Sequence, residues 1–128
     1  MNYYFSKIVT GDFDSTISRV TEELKKEGFG ILTEIDVKET LKKKLDVDFR
    51  RYKILGACNP NLAHQALLAE DAIGTLLPCN VIIQERGNGK MEVYTVDPVA
   101  SMMAVQNEKL REVADKAREK LNKVMLSI

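Results

Sequence analysis

The chain opens with strict alternation. Tyr4, Ser6, Ile8 and Thr10 fall on one side of an extended segment and Phe5, Lys7 and Val9 on the other, with Gly11 ending it as a first strand. Asp12 then stands where an N-cap belongs. Phe13, Ile17, Val20 and Leu24 recur at helical spacing, and the apolar stripe they form stops at Gly28. From Gly30 to Val37 the alternation returns, with Ile31, Thr33, Ile35 and Val37 set against Leu32, Glu34 and Asp36, which predicts a second strand. Leu41 and Leu45, in phase with Val37, suggest a short helix after it.

Arg51 to Cys58 predicts a third strand, with Tyr52, Ile54, Gly56 and Cys58 on one face and Lys53, Leu55 and Ala57 on the other. Asn59-Pro60 ends it and opens a helix through about Glu70, because Asn is a favoured cap and Pro a favoured first helical residue. Leu62, Ala63, Ala66 and Ala69 make the inward side of that helix. After Gly74 and Pro78, Cys79 to Arg86 predicts a strand that Gly87-Asn88-Gly89 turns into a partner from Met91 to Val96. Asp97-Pro98 repeats the cap signal and starts a long terminal helix striped by Met103, Leu110, Val113, Ala114, Ala117, Leu121 and Val124.

The order β-α-β-(α)-β-α-β-β-α, uninterrupted by repeats or linkers, predicts a single α+β domain over residues 1–128 with a largely antiparallel sheet and a long C-terminal helix. Apolar residues on both faces of Ile54 to Cys58 and of Val81 to Ile83 mean that something should cover each side of the sheet. The terminal helix folding across would do this within one chain, and a homodimer would do it by presenting one patch twice.

Composition excludes more than it selects. A chain of 128 residues, 45% hydrophobic and 30% charged, is too short for a two-domain enzyme and too apolar for a disordered tail. Nineteen basic and nineteen acidic side chains cancel, so no global field recruits nucleic acid, membrane or acidic ligands. The N-terminal residues lack the pattern of a secretory signal and no apolar run is long enough to span a bilayer, so the expected location is the cytosol. Two cysteines in a domain of this size imply reduced thiols, although spacing alone leaves a disulfide open.

Those cysteines stand in mirrored contexts, Cys58-Asn59-Pro60 at a strand-to-helix junction and Pro78-Cys79-Asn80 at the start of a strand. A thiol just before a helix N-terminus feels the positive end of the dipole, which favours thiolate and makes Cys58 a candidate nucleophile, redox thiol or metal ligand. A free cysteine also serves simply as a small buried hydrophobe. For zinc the inventory is thin: with no C-x-x-C and one histidine, Cys58, His64 and Cys79 are the only three-ligand set, and His64 lies roughly opposite the inward side of its helix. The helix N-termini at Asn59-Pro60 and Asp97-Pro98 could take a small anion, in competition with their own caps. Residues 38–53 hold Lys38, Lys42, Lys43, Lys44, Arg50, Arg51 and Lys53 against Glu39, Asp46 and Asp48, with Phe49 and Tyr52 the only stacking aromatics. A solvated basic face accounts for this segment better than nucleic-acid binding does.

Taken together, Ile54-Leu55-Gly56-Ala57-Cys58-Asn59-Pro60, Leu62-Ala63, Ala66-Leu67, Ile73-Gly74, Leu76-Leu77-Pro78-Cys79-Asn80-Val81 and Asp97-Pro98 resemble the domain-of-unknown-function 302 family. The resemblance implies a small, mainly prokaryotic α+β domain similar in topology to TATA-binding-protein-like folds, and no established reaction or cofactor. It marks Cys58, Asn59, Pro60, Pro78, Cys79, Asn80, Asp97 and Pro98 as the recurring positions. Topology alone does not license DNA binding. The leading expectation is a homodimeric binding or regulatory module whose small-molecule site lies where the two cysteine segments meet the Asn59-Pro60 helix. The alternatives are a thiol-dependent redox or metal-handling protein using Cys58 and Cys79, and nucleic-acid binding through residues 38–53.

Overall fold

A computed structural model describes residues 2–128. Five strands, β1 (Tyr4–Thr10), β2 (Gly30–Asp36), β3 (Tyr52–Cys58), β4 (Cys79–Gly87) and β5 (Lys90–Val96), form one sheet in the order β1-β5-β4-β3-β2. Every neighbouring pair is antiparallel. The helices are α1 (Phe13–Lys26), α2 (Val37–Leu45), α3 (Pro60–Ala69), α4 (Pro98–Ser101) and α5 (Glu108–Ser127), with a 3₁₀ segment over Asp71–Leu76 that the sequence pattern did not announce. The α+β architecture and its closing helix are as expected.

Register decides which side chains enter the core. Leu55 of β3 lies opposite Val81 of β4, which lies opposite Thr95 of β5, so these residues share one face with Ala57, Ile83 and Val93. Against that face pack Val20 and Leu24 of α1 and Leu121, Val124 and Met125 from the C-terminal half of α5, all buried. Lys7, on the same face of β1, donates from Nζ to the carbonyls of Met125 at 3.2 Å and Ile128 at 2.7 Å, putting a cation where the α5 dipole is negative. A second cluster gathers Leu62 and Ala66 of α3, Ile73, Met102, and Leu110, Val113, Ala114 and Ala117 from the N-terminal half of α5. One helix thus serves two apolar clusters along its length.

Sequence expectations fail locally in β2 and in the terminal helix. The alternation through β2 is broken by a bulge between Ile31 and Thr33, so Ile31 pairs with Ala57 on the core side while Thr33 pairs with Gly56 and turns to the other face. Leu32, unpaired at the bulge, is 66% exposed. Val37, expected to end the strand, begins α2 instead, capped by Asp36, and α2 buries none of its residues. The terminal helix is also not continuous from Pro98. Asp97 caps only the short α4; the chain then unwinds, and a new cap forms where Asn107 accepts from the N–H groups of Lys109 and Leu110. Asn107 Nδ2 donates to the Ala69 carbonyl at 2.8 Å, tying the start of α5 to the end of α3. The break buries Met102 and leaves Met103, expected in the stripe, 54% exposed.

Because α5 packs on the face already occupied by α1, it does not cover the second face of the sheet. That face carries Ile8, Ile54, Ile82 and Tyr94, none of them buried, and only at Gly56 do Thr33 and Pro78 stand over it among the described residues. No helix of the described residues is long and apolar enough to cross a membrane.

Candidate functional site

Where the two apolar clusters meet, small side chains face one another. Ala63 and Ala66 of α3 look toward Ala114 and Ala117 of α5, and these methyl groups are too short to close the gap. The result is a cavity of about 260 Å³, floored by Phe29, Ala57 and Cys79 and bounded by Cys58, Pro78 and Met102. The exposed leucines Leu32 and Leu67 also border it, Leu32 because the β2 bulge turns it there. Among the described residues no charged side chain lines it.

The cysteine segments come together in this cavity through strand register. Ala57 lies directly opposite Cys79, which places Cys58 and Cys79 one position apart at adjoining ends of β3 and β4. Both are free, half-buried thiols. Burial, reinforced by the neighbouring Cys58, pushes the Cys79 thiol from an ordinary value of 9.0 up to about 11, so Cys79 is neutral at physiological pH. A neutral thiol is a poor nucleophile and a good apolar lining group.

Asn59 shapes the edge of the cavity. Its Oδ1 accepts from the Leu62 N–H at 3.3 Å, capping α3, while its Nδ2 donates to the Glu27 carbonyl at 3.2 Å. The second bond depends on Gly28, whose φ of +85° ends α1 in the left-handed region and whose missing Cβ would sit 3.0 Å from Asn59 Nδ2. One buried amide therefore locks the end of α1 to the start of α3, and its polar atoms are already committed.

Other expected site residues lie elsewhere. Pro60 occupies the first turn of α3, exposed and outside the cavity, and Asn80 is exposed and faces the open side of the sheet. Asp97 is buried but serves as a cap, accepting from the Val99 N–H at 3.0 Å and pairing with Arg118 at 3.6 Å; only its neighbour Pro98 reaches the cavity. Asn59 and Asp97 each cap their own helix N-terminus, in competition with any anion there. The metal set Cys58, His64 and Cys79 does not assemble, because His64 is exposed on α3 and away from the lining, and no cluster of three metal-ligating side chains occurs among the described residues. In the basic segment, Lys42 pairs with Asp46 at 2.9 Å, Lys43 with Glu39 at 3.5 Å and Arg51 with Asp14 at 3.9 Å, whereas Arg50 turns to the open sheet face. What the sequence reading missed is the alanine wall of α5, whose spacing announced a packed stripe and gave no sign of a void.

None of the curated proteins matches this chain. A solved structure does: an uncharacterised conserved protein of the DUF302 group from Bacillus stearothermophilus is 28% identical and superposes with a TM-score of 0.89, covering 98% of this chain and 97% of its own. The model of the domain of unknown function DUF302 matches residues 5–128, a span that holds the whole sheet apart from Tyr4, every helix and both cysteine segments, and the chain therefore belongs to the DUF302 family.

Proposed function

We propose that this domain is a binding module for a small apolar molecule, of the size of a short alkyl or acyl chain, held in the cavity between α3, α5 and the adjoining ends of β3 and β4. The observation that carries the reading is the lining itself. Alanine, leucine, phenylalanine and methionine side chains surround a volume of about 260 Å³ without one charged group, and Asn59 has its polar atoms engaged. Ligand sites of this kind are mostly apolar, with few polar fixtures and volumes from roughly 300 Å³ upward, so a compact ligand suits this one. The two thiols supply polarizable contact, and Leu32 and Leu67 supply an apolar border for entry.

Thiol catalysis is the weaker reading, since among the described residues no general base lines the cavity to activate Cys58, and Cys79 is held neutral. The test is a fluorescence titration with the apolar probe N-phenyl-1-naphthylamine on the wild type and on Ala114→Leu, which fills the cavity from the α5 side. Saturable enhancement in the wild type, weakened at least tenfold in Ala114→Leu, supports the reading. Equal enhancement in both proteins overturns it.

A further inference from the structure

The aromatic residues of this chain are partitioned. Phe13 and Phe29 are buried in the core and Phe5 packs against it, whereas all four tyrosines, Tyr3, Tyr4, Tyr52 and Tyr94, line one groove of about 400 Å³ on the uncovered face of the sheet. The tyrosines are ordered against one another: the Tyr4 and Tyr94 rings lie 5.4 Å apart and Tyr3 meets Tyr4 edge-on at 5.1 Å. Across the groove, Arg50 lies 4.4 Å above the Phe49 ring and 5.6 Å from that of Tyr52. Its Nε donates to Gln84 Oε1 at 2.6 Å, and Gln84, itself buried, passes the chain on by donating from Nε2 to the Tyr94 hydroxyl at 2.9 Å. Arg86 completes the network, donating to Tyr94 at 2.7 Å and to Glu92 at 2.8 Å.

Charge separates this groove from a generic apolar sheet face. Among the described residues Arg50 is the one charged residue in the lining and no carboxylate pairs with it; Arg19 and Arg111 also lack an acidic partner, whereas Arg51, Arg86 and Arg118 each have one, but of the three unpaired arginines only Arg50 lines the groove. A guanidinium set beside two rings and hydrogen-bonded to one amide, with its terminal nitrogens unclaimed by an acid, is preorganised for an anion. Tyrosine faces beside it stack planar π systems. A buried glutamine at the floor, satisfied on both sides, fixes the arginine without neutralising it.

We propose that this groove binds a free planar aromatic anion of mononucleotide type, its ring against the tyrosines and its anionic group on Arg50. The site lies on the opposite face of the sheet from the α3–α5 cavity and stands or falls independently of it. The test is an NMR titration of ¹⁵N-labelled protein with adenosine 5′-monophosphate, with adenosine and inorganic phosphate as separate arms. The nucleotide is expected to shift the Tyr52, Ile82 and Tyr94 amides saturably, more tightly than either half alone. Arg50→Gln should weaken nucleotide binding at least tenfold, to the level of adenosine, and Arg50→Lys should fall between; unchanged amides on α1 and α5 certify the fold of both. No movement of these amides, or equal binding by Arg50→Gln, overturns the proposal. So does a shift of the same amides on dilution without ligand, which would identify a second copy of the chain as the occupant, and so does tighter binding of a single-stranded oligonucleotide than of the mononucleotide.

Discussion

Substituting Gly56 by alanine tests how closely β3, β2 and the Pro78-Cys79 segment are fitted beside the cavity. Gly56 is buried mid-strand, and a Cβ there would collide with the Thr33 hydroxyl and stand 2.8 Å from Pro78 Cγ. Two effects oppose. Alanine restricts the unfolded chain and favours a strand over glycine by about 0.5–1 kcal/mol, whereas overpacking a well-filled site costs about 1–3 kcal/mol. The collisions differ in kind: Thr33 can rotate about χ1, but the Pro78 ring cannot swing away without moving the chain into Cys79. The clash with Pro78 therefore dominates, and Gly56→Ala should lose about 2 kcal/mol, lowering the midpoint of thermal unfolding by roughly 6–12 °C. Urea unfolding followed by far-ultraviolet circular dichroism measures it. In the double variant Gly56→Ala/Thr33→Ala, removal of the hydroxyl should restore less than half the loss relative to Thr33→Ala alone. A neutral or stabilised Gly56→Ala, or full recovery in the double variant, would refute the reasoning.

Asn59→Ala removes the α3 cap and the bond to Glu27 together and should cost about 2–3 kcal/mol by urea unfolding, while Asn59→Asp keeps the cap and still loses stability because a carboxylate replaces the donor facing the Glu27 carbonyl. The Cys79 thiol ionises near 9.0 when ordinary and at about 11 when buried, so above pH 9 the unfolded chain releases its proton first and stability falls as pH rises toward 11. That contribution should reach about 2–3 kcal/mol and be absent in Cys79→Ala; parallel pH–stability curves for the two proteins would count against a buried neutral thiol. Ala114→Leu should leave stability unchanged or raise it, because it fills a void, whereas the same insertion in a closed core costs about 1–3 kcal/mol, and a loss of that size would mean there is no room at this position.

Much of this fold was legible because its signals are local. The β4–β5 hairpin, the α1 stripe and the Asn59-Pro60 start of α3 each rest on residues adjacent in sequence, and each lies where the pattern put it. The failures came where distant partners intervene. Nothing in Ile31-Leu32-Thr33 announces a bulge, which answers to the register with Ala57 and Gly56. The break after α4 depends on Asn107 finding the Ala69 carbonyl across the domain. The meeting of Cys58, Asn59, Pro78 and Cys79 at one cavity follows from β3–β4 pairing, and the mirrored motifs hinted at it. The cavity itself was invisible, because an alanine at a stripe position looks the same in sequence whether its neighbour fills the space or not. Likewise, the tyrosines of β1, β3 and β5 share a groove only because β5 inserts between β1 and β4.

The central claim is that the space between α3 and α5 takes an apolar ligand, and alanine methyl NMR reads that space directly. Titrating 1-decanol, an uncharged probe with no claim on Arg50, into protein carrying ¹³C-methyl alanine should shift Ala63, Ala66, Ala114 and Ala117 saturably and leave Ala72 and Ala104, which do not line the cavity, in place. Shifts no larger at Ala63, Ala66, Ala114 and Ala117 than at Ala72 and Ala104, up to the solubility limit of the alcohol, would contradict the account.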